Sequence, residues 1–165
     1  MNGKTASFAY WQQGFAYLSL LFIIIVMGIF AGVAGSLWST AAAREKEEEL
    51  LFRGNEIKSA IGRYYEGGLG AKSYPQSLED LIKDARYPVT KRYLRKIYHD
   101  PVTGMPDWKF IKAPDSGIMG VKSRSDKEPY KKKNFPKELI GFEGKSKYSE
   151  WEFIYVPQTM RKTQG

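Results

Sequence analysis

The stretch from Phe15 to Trp38 is predominantly apolar and contains no charged side chain. A helix over this stretch rises about 1.5 Å per residue and reaches roughly 36 Å, enough to cross a hydrocarbon core of about 30 Å with some tilt. A helix buried in a soluble core needs less length. Tyr17 and Trp38 lie near its two ends, as aromatic residues do at membrane interfaces. We therefore predict a transmembrane helix.

The helical pattern does not stop at Trp38. Residues 39–66 contain no proline and are rich in Ala, Glu, Lys, Leu and Arg, which are good helix formers. We predict one helix from Phe15 to Glu66, with residues 15–43 in the membrane and residues 44–66 in water. Gly67-Gly68 is the predicted helix stop.

The aqueous half of this helix begins with a charged collar, Arg44 to Glu49, and then becomes amphipathic. Apolar or small residues recur there at spacings of four and three, which place them on one face of a helix. This stripe consists of Leu50, Gly54, Ile57, Ile61 and Tyr64. The rest of the chain is the only cover that the monomer offers, so we expect the remaining residues to pack on it.

Residues 67–165 show short helical and β-like patterns. Ser77 to Asp80 resembles a capping box that opens a short helix, Thr90 to Lys96 suggests a further helical turn, and Asp100 to Gly104 is a turn. Three β-like runs follow, namely Trp108–Ile111, Gly117–Val121 and Trp151–Val156. We predict a small globular α+β domain whose antiparallel sheet packs on the helix, with Trp108, Phe110, Trp151 and Phe153 against the stripe.

Charge is unevenly distributed along the chain. Lys and Arg number 26 against 18 Asp and Glu, a net charge of +8, and much of the excess lies between Lys122 and Lys147, around Lys131-Lys132-Lys133. A flexible, solvated basic loop is the first interpretation; binding to anionic lipid headgroups or an acidic partner is the second, and DNA capture is the third. We therefore regard nucleic-acid binding as the least favoured use of this segment.

No combination of residues in the sequence suggests catalysis. The chain contains no cysteine, which excludes disulfides, thiolate metal sites and a Cys nucleophile, and His99 is its single histidine. A metal site of His99, Asp100 and Asp107 has no diagnostic spacing, and no phosphate-binding, dinucleotide or hydrolase motif occurs. We therefore predict a protein that is not an enzyme and has no cofactor and no metal.

A short polar leader ends in Gly14, Phe15 follows, and the apolar run then leads into a charged helix. This order resembles the signal of type IV pilins and type II secretion pseudopilins, and Gly14 to Leu21 matches the Gly-Phe-x-Tyr-Leu-x-Leu-Leu start of a group of pseudopilin-like proteins. Five later segments are similar to that group as well: Tyr74 to Leu81, Tyr93 to Arg95, Asp100 to Trp108, Gly117 to Val121 and Trp151 to Pro157.

The resemblance implies processing and assembly. Residues 1–14 are then a prepilin leader, a membrane-embedded prepilin peptidase cuts between Gly14 and Phe15, and Phe15 is N-methylated. The chain is expected to be a structural subunit of a type II secretion pseudopilus or a related type IV pilus-like assembly, and so to serve protein transport. Its implied partners are other pseudopilin subunits, the peptidase and the inner-membrane assembly platform. The implied location is the bacterial inner membrane, single-pass, with a periplasmic C-terminal domain.

Some positions depart from the family or allow two interpretations. Ser19 stands where the family usually has Glu, which suggests a minor subunit, and Gln12-Gln13 replaces the usual basic residue before Gly14. Gly28, Gly32 and Gly35 suit close helix packing in lipid, although glycine is common in membrane helices in general. Major pseudopilins carry a calcium loop where Ser123 to Phe135 here is basic, so we predict no calcium site.

A second function of another class is compatible with the sequence. In this alternative the chain is an unprocessed single-pass anchor that presents a basic domain to DNA, lipid or an envelope partner. The mass of the protein extracted from membranes distinguishes the two, since only the assembly subunit loses residues 1–14 and gains one methyl group.

Overall fold

The computed structural model describes residues 9–68 and 72–157. They form a long helix α1 (Ala9–Glu66) and three strands, β1 (Lys109–Lys112), β2 (Ile118–Lys122) and β3 (Phe153–Ile154), with three short 3-10 helices at Glu79–Leu81, Lys137–Phe142 and Tyr148–Glu150. The chain divides into two compact units, Met1–Ala42 and Ala43–Gly165. This is an α+β chain, as predicted.

Helix α1 has the predicted C-terminal end and an earlier start. It ends at Glu66, and the Gly67 amide donates to the Arg63 carbonyl at 2.9 Å. It begins at Ala9 instead of Phe15, because residues 9–13 include no proline or glycine that would interrupt it and a single interior glycine, Gly14, costs a helix only about 1 kcal/mol.

The predicted stripe on α1 is the centre of the core of the second unit. Leu50, Ile57 and Ile61 are completely buried, and Gly54 and Tyr64 are buried with them. Gly54 and Gly62 bring the helix backbone against rings, since a Cβ atom added at Gly54 would lie 2.5 Å from the Phe153 ring. One added at Gly62 would lie 2.7 Å from the Tyr155 ring. The two glycines therefore serve close packing of helix against C-terminal aromatics.

The three β-like runs become one antiparallel sheet of order β1-β2-β3. Phe110 lies opposite Val121, and Val121 in turn lies opposite Phe153. The last strand is much shorter than the predicted Trp151–Val156 run, because a 3-10 helix at Tyr148–Glu150 precedes it and Trp151 closes that helix. The Tyr155 amide still bonds to the Met119 carbonyl at 2.9 Å.

The connector after α1 differs from the prediction at two points. The capping-box segment forms only a 3-10 helix, where the Asp80 carboxylate accepts from the Gln76 and Ser77 amides at 2.9 and 3.0 Å. Thr90 to Lys96 is not helical. The amides of Tyr93 and Leu94 both donate to the Leu81 carbonyl, so a tertiary contact takes the hydrogen bonds that a helical turn needs.

The aromatic cover of the stripe was predicted only in part. Trp108, Trp151 and Phe153 are buried, but Phe110 is 45 % exposed on the edge strand β1. Three rings that were not predicted, Phe135, Phe142 and Tyr148, belong to the core instead. Phe142 stacks on Trp151 with ring centroids 5.3 Å apart, and Phe135 and Tyr148 approach the same indole edge-on.

We expect Ile61→Ala to lower the free energy of unfolding by about 2 to 5 kcal/mol, because it removes a completely buried side chain and leaves a cavity. The measurement is denaturant unfolding of the full chain in detergent micelles. The matched control is Ile140→Ala, since Ile140 is 63 % exposed and its truncation opens no cavity. Equal effects of the two substitutions would contradict the assignment of the core.

Candidate functional site

The first functional feature is the apolar part of α1. One candidate membrane span, Ala16–Glu66, is long and apolar enough to cross a bilayer. None of the described residues in its most apolar stretch is buried within the protein. Phe22, Ile25 and Phe30 are among the large side chains exposed there. Such an exposed apolar surface is compatible with a helix that spans a membrane.

The small residues predicted for helix packing lie in this exposed part. A Cβ atom added to Gly28, Gly32 or Gly35 would meet no atom within 4 Å beyond the adjacent helix backbone, so no other described part of the chain packs against these glycines. Ser19 is half-buried. The role of all four positions in lateral packing stays a prediction.

The predicted processing site lies on the backbone of α1. Gly14 and Phe15 are both within Ala9–Glu66, but the structure does not describe the Phe15 side chain or the burial of either residue. Cleavage after Gly14 and methylation of Phe15 therefore stay predictions, as does the assignment of residues 1–14 as a leader.

The second functional feature is a buried carboxylate, Glu47, in the first turns of the second unit. It is only 4 % exposed, and its oxygens accept from the amides of Tyr130 and Lys131 at 2.7 and 2.9 Å and from the Tyr148 hydroxyl at 2.8 Å. Burial, followed by the hydrogen bond to Glu47, raises the pKa of Tyr148 well above its ordinary value. Glu47 thus ties α1 to the backbone of Tyr130 and Lys131 in the basic segment and to Tyr148, which directly follows that segment.

Sequence reasoning missed Glu47, although its spacing places it on the buried stripe of α1. It stands three residues before Leu50 and so continues the alternation of three and four that defines the stripe. An acidic side chain at a core position needs hydrogen-bond donors. Only the fold shows that backbone amides more than eighty residues away supply them.

We predicted that the segment from Lys122 to Lys147 is a flexible, solvated loop. For its backbone and its apolar residues this prediction is wrong. The segment contains a 3-10 helix, Lys137–Phe142, and buries Phe135, Leu139 and Phe142. Lys132 and Lys133 are exposed. Apolar residues interspersed among the lysines anchor the segment to the core while its charges remain in water.

The two acidic residues between Ser123 and Phe135, Asp126 and Glu128, have partners of their own. Asp126 accepts from the Ser149 hydroxyl at 2.7 Å and lies 3.7 Å from the Lys147 ammonium, and Glu128 pairs with Lys132. The bond from Ser149, and then the Lys147 charge, lower the pKa of Asp126.

The structure does not bring His99, Asp100 and Asp107 together as ligands. The His99 carbonyl accepts from Arg53 at 2.8 Å, the buried Asp100 accepts from the Ser123 hydroxyl, and Asp107 accepts from the Thr103 hydroxyl. Across residues 9–68 and 72–157, no group of three or more His, Cys, Asp or Glu side chains is arranged to hold a metal ion.

A further charged cluster closes the C-terminal end of α1. The Arg86 guanidinium lies 3.6 Å from the centroid of the Tyr64 ring, donates to the Tyr64 carbonyl at 2.8 Å and forms an ion pair with the buried Asp84. Hydrogen bonding from Arg86 lowers the pKa of Asp84. The cluster satisfies a carbonyl at the helix end, which is a structural task.

No protein-family model, no curated protein and no solved structure matches the chain. The interpretation of function therefore depends on the motifs and on the geometry described above.

We expect Glu47→Gln to lower the free energy of unfolding by about 1 to 3 kcal/mol. The glutamine side chain has one oxygen and one NH2 group, and its nitrogen cannot accept a hydrogen bond. At least one of the buried backbone N–H groups of Tyr130 and Lys131 is therefore left without an acceptor. Denaturant unfolding measures the loss. Glu48→Gln, on the exposed neighbouring residue, is the control and should change stability little. If both variants unfold alike, Glu47 does not hold the basic segment.

Proposed function

We propose that the chain is a minor pseudopilin, a structural subunit of a type II secretion pseudopilus or related type IV pilus-like assembly. The observation that carries the proposal is that one helix, α1, contains both an apolar segment with no cover and a stripe that is completely covered. A subunit that is stored in a bilayer and then enters a helix bundle needs both, because its apolar segment must stay covered by lipid or by neighbouring helices.

The sequence motifs make the proposal specific. Gly14 followed by Phe15 is the predicted peptidase site, and the partners are the peptidase, other pseudopilin subunits and the inner-membrane assembly platform. The protein is then single-pass in the bacterial inner membrane, with residues 44–165 in the periplasm. Its role is mechanical and not catalytic.

We expect the protein extracted from bacterial membranes that contain prepilin peptidase to lack residues 1–14 and to carry one extra methyl group on Phe15. Intact-mass spectrometry measures both changes. Gly14→Val removes the residue after which the peptidase cuts and should leave the full-length chain in the membrane. A wild-type protein that retains Met1 would contradict the proposal and favour the unprocessed anchor.

Ser19 makes a separate prediction about copy number. The Glu usual at this position neutralises the terminal ammonium of a neighbouring subunit, since an ammonium is costly within an apolar helix bundle. A serine hydroxyl cannot neutralise a neighbour's ammonium, so this subunit suits the tip or an initiating complex, where one side has no neighbour. We expect quantitative mass spectrometry of sheared filaments to find few copies per filament, whereas a predominant subunit would contradict the minor role.

A further inference from the structure

Strand β1 is an edge of the sheet. Within the described residues it pairs with β2 alone, so the amides and carbonyls along its other side have no strand partner. Phe110, on this strand, exposes nearly half of its side chain. An exposed edge with an aromatic residue is a surface on which an extended peptide can add a strand.

The charges around this edge are positive and incompletely paired. Lys109 lies directly opposite Lys122 in the β1–β2 register, an arrangement of like charges that destabilises a sheet. Lys122 is neutralised by Glu152 at 2.7 Å. Within residues 9–68 and 72–157, Lys109 and Arg124 have no carboxylate at ion-pair distance, and the Arg124 Nε atom donates to the Asp107 carbonyl instead.

A cleft of about 560 Å³ lies beside these cations. Its lining includes Lys109, Lys122 and Arg124, with Asp126 as the single carboxylate among the lining residues. That carboxylate is already bonded to Ser149 and paired with Lys147. The cleft therefore retains positive charge that the described part of the chain does not neutralise.

The chain's own undescribed segments contain no acidic side chain. Residues 1–8, 69–71 and 158–165 contain no Asp and no Glu, and the whole chain has a net charge of +8. The charged collar, Arg44 to Glu49, is part of helix α1. Within it Glu47 and Glu49 already have hydrogen-bond partners. We therefore expect an acidic occupant of the cleft to come from another molecule.

We propose that the β1 edge and the adjoining cleft bind an extended acidic segment of a protein partner. Side chains of an added strand alternate between the two faces of the sheet, so carboxylates at every second position would meet the face of Lys109 and Lys122. The residues between them would lie on the face of Phe110. This binding does not depend on cleavage after Gly14 or on entry into a filament, so it can fail or succeed independently of the proposed function.

The test uses the full chain in nanodiscs of zwitterionic lipid and a fluorescein-labelled peptide of about ten alternating Glu and Val residues, a strand-length probe. Binding is measured by fluorescence anisotropy. We expect Lys109→Glu and Arg124→Glu each to weaken binding about tenfold, as expected for charges at an interface. Lys109→Glu places a carboxylate opposite Lys122, so the sheet should be at least as stable as before, which separates lost binding from lost folding.

Lys137→Glu and Lys145→Glu are matched controls, because they make the same charge change at lysines that do not line the cleft. They should leave the peptide affinity within about twofold of the wild type. Phe110→Ser, which changes no charge, should weaken binding about fivefold, because it removes the exposed ring. Equal losses in the controls, unchanged affinity in Phe110→Ser, or equal binding of a peptide of alternating Lys and Val would overturn the proposal. Tighter binding of single-stranded oligothymidylate than of the acidic peptide would overturn it in favour of nucleic acid.

Discussion

The fold of the second unit, as far as the structure describes it, depends on burial of one stripe along α1. Leu50, Ile57 and Ile61 lose all contact with water, and each buried side chain of this size contributes about 1.5 to 3 kcal/mol. Two glycines on the same part of the helix let Phe153 and Tyr155 approach the backbone directly. The short sheet needs this support, because a strand pair as brief as β2–β3 has little stability in isolation.

The basic segment follows the same constraint. Its lysines give the chain much of its positive charge, yet it is held by Phe135, Phe142 and the Glu47 carboxylate. Leaving a buried carboxylate or amide unpaired costs several kcal/mol, so the three donors to Glu47 determine where residues 130–131 lie. The segment thus combines an anchored backbone with exposed charges at Lys132 and Lys133.

The two parts of α1 pose different physical problems. The covered stripe needs nothing beyond the chain, whereas the apolar segment of α1 exposes most of the large side chains that the structure describes there, among them Phe22, Ile25 and Phe30. The edge strand β1 with its unpaired cations is a second, smaller surface that the described residues leave without a partner. The first suits lipid or apolar helices and the second suits carboxylates, so the two surfaces differ in the chemistry of the partner that fits them.

The sequence alone determined the long helix, its end before Gly67, the buried stripe and the approximate places of the strands. These features follow from local periodicity, composition and the positions of helix-breaking and turn residues. Tertiary contacts determined the features that the sequence did not predict. The segment from Thr90 to Lys96 is not helical, because two of its amides donate to the Leu81 carbonyl. Phe110 is half exposed because it lies at the edge of the sheet. Glu47 accepts hydrogen bonds from backbone amides that are distant in the sequence. A local pattern tells which residues must leave water, but only the folded chain determines which groups meet them there.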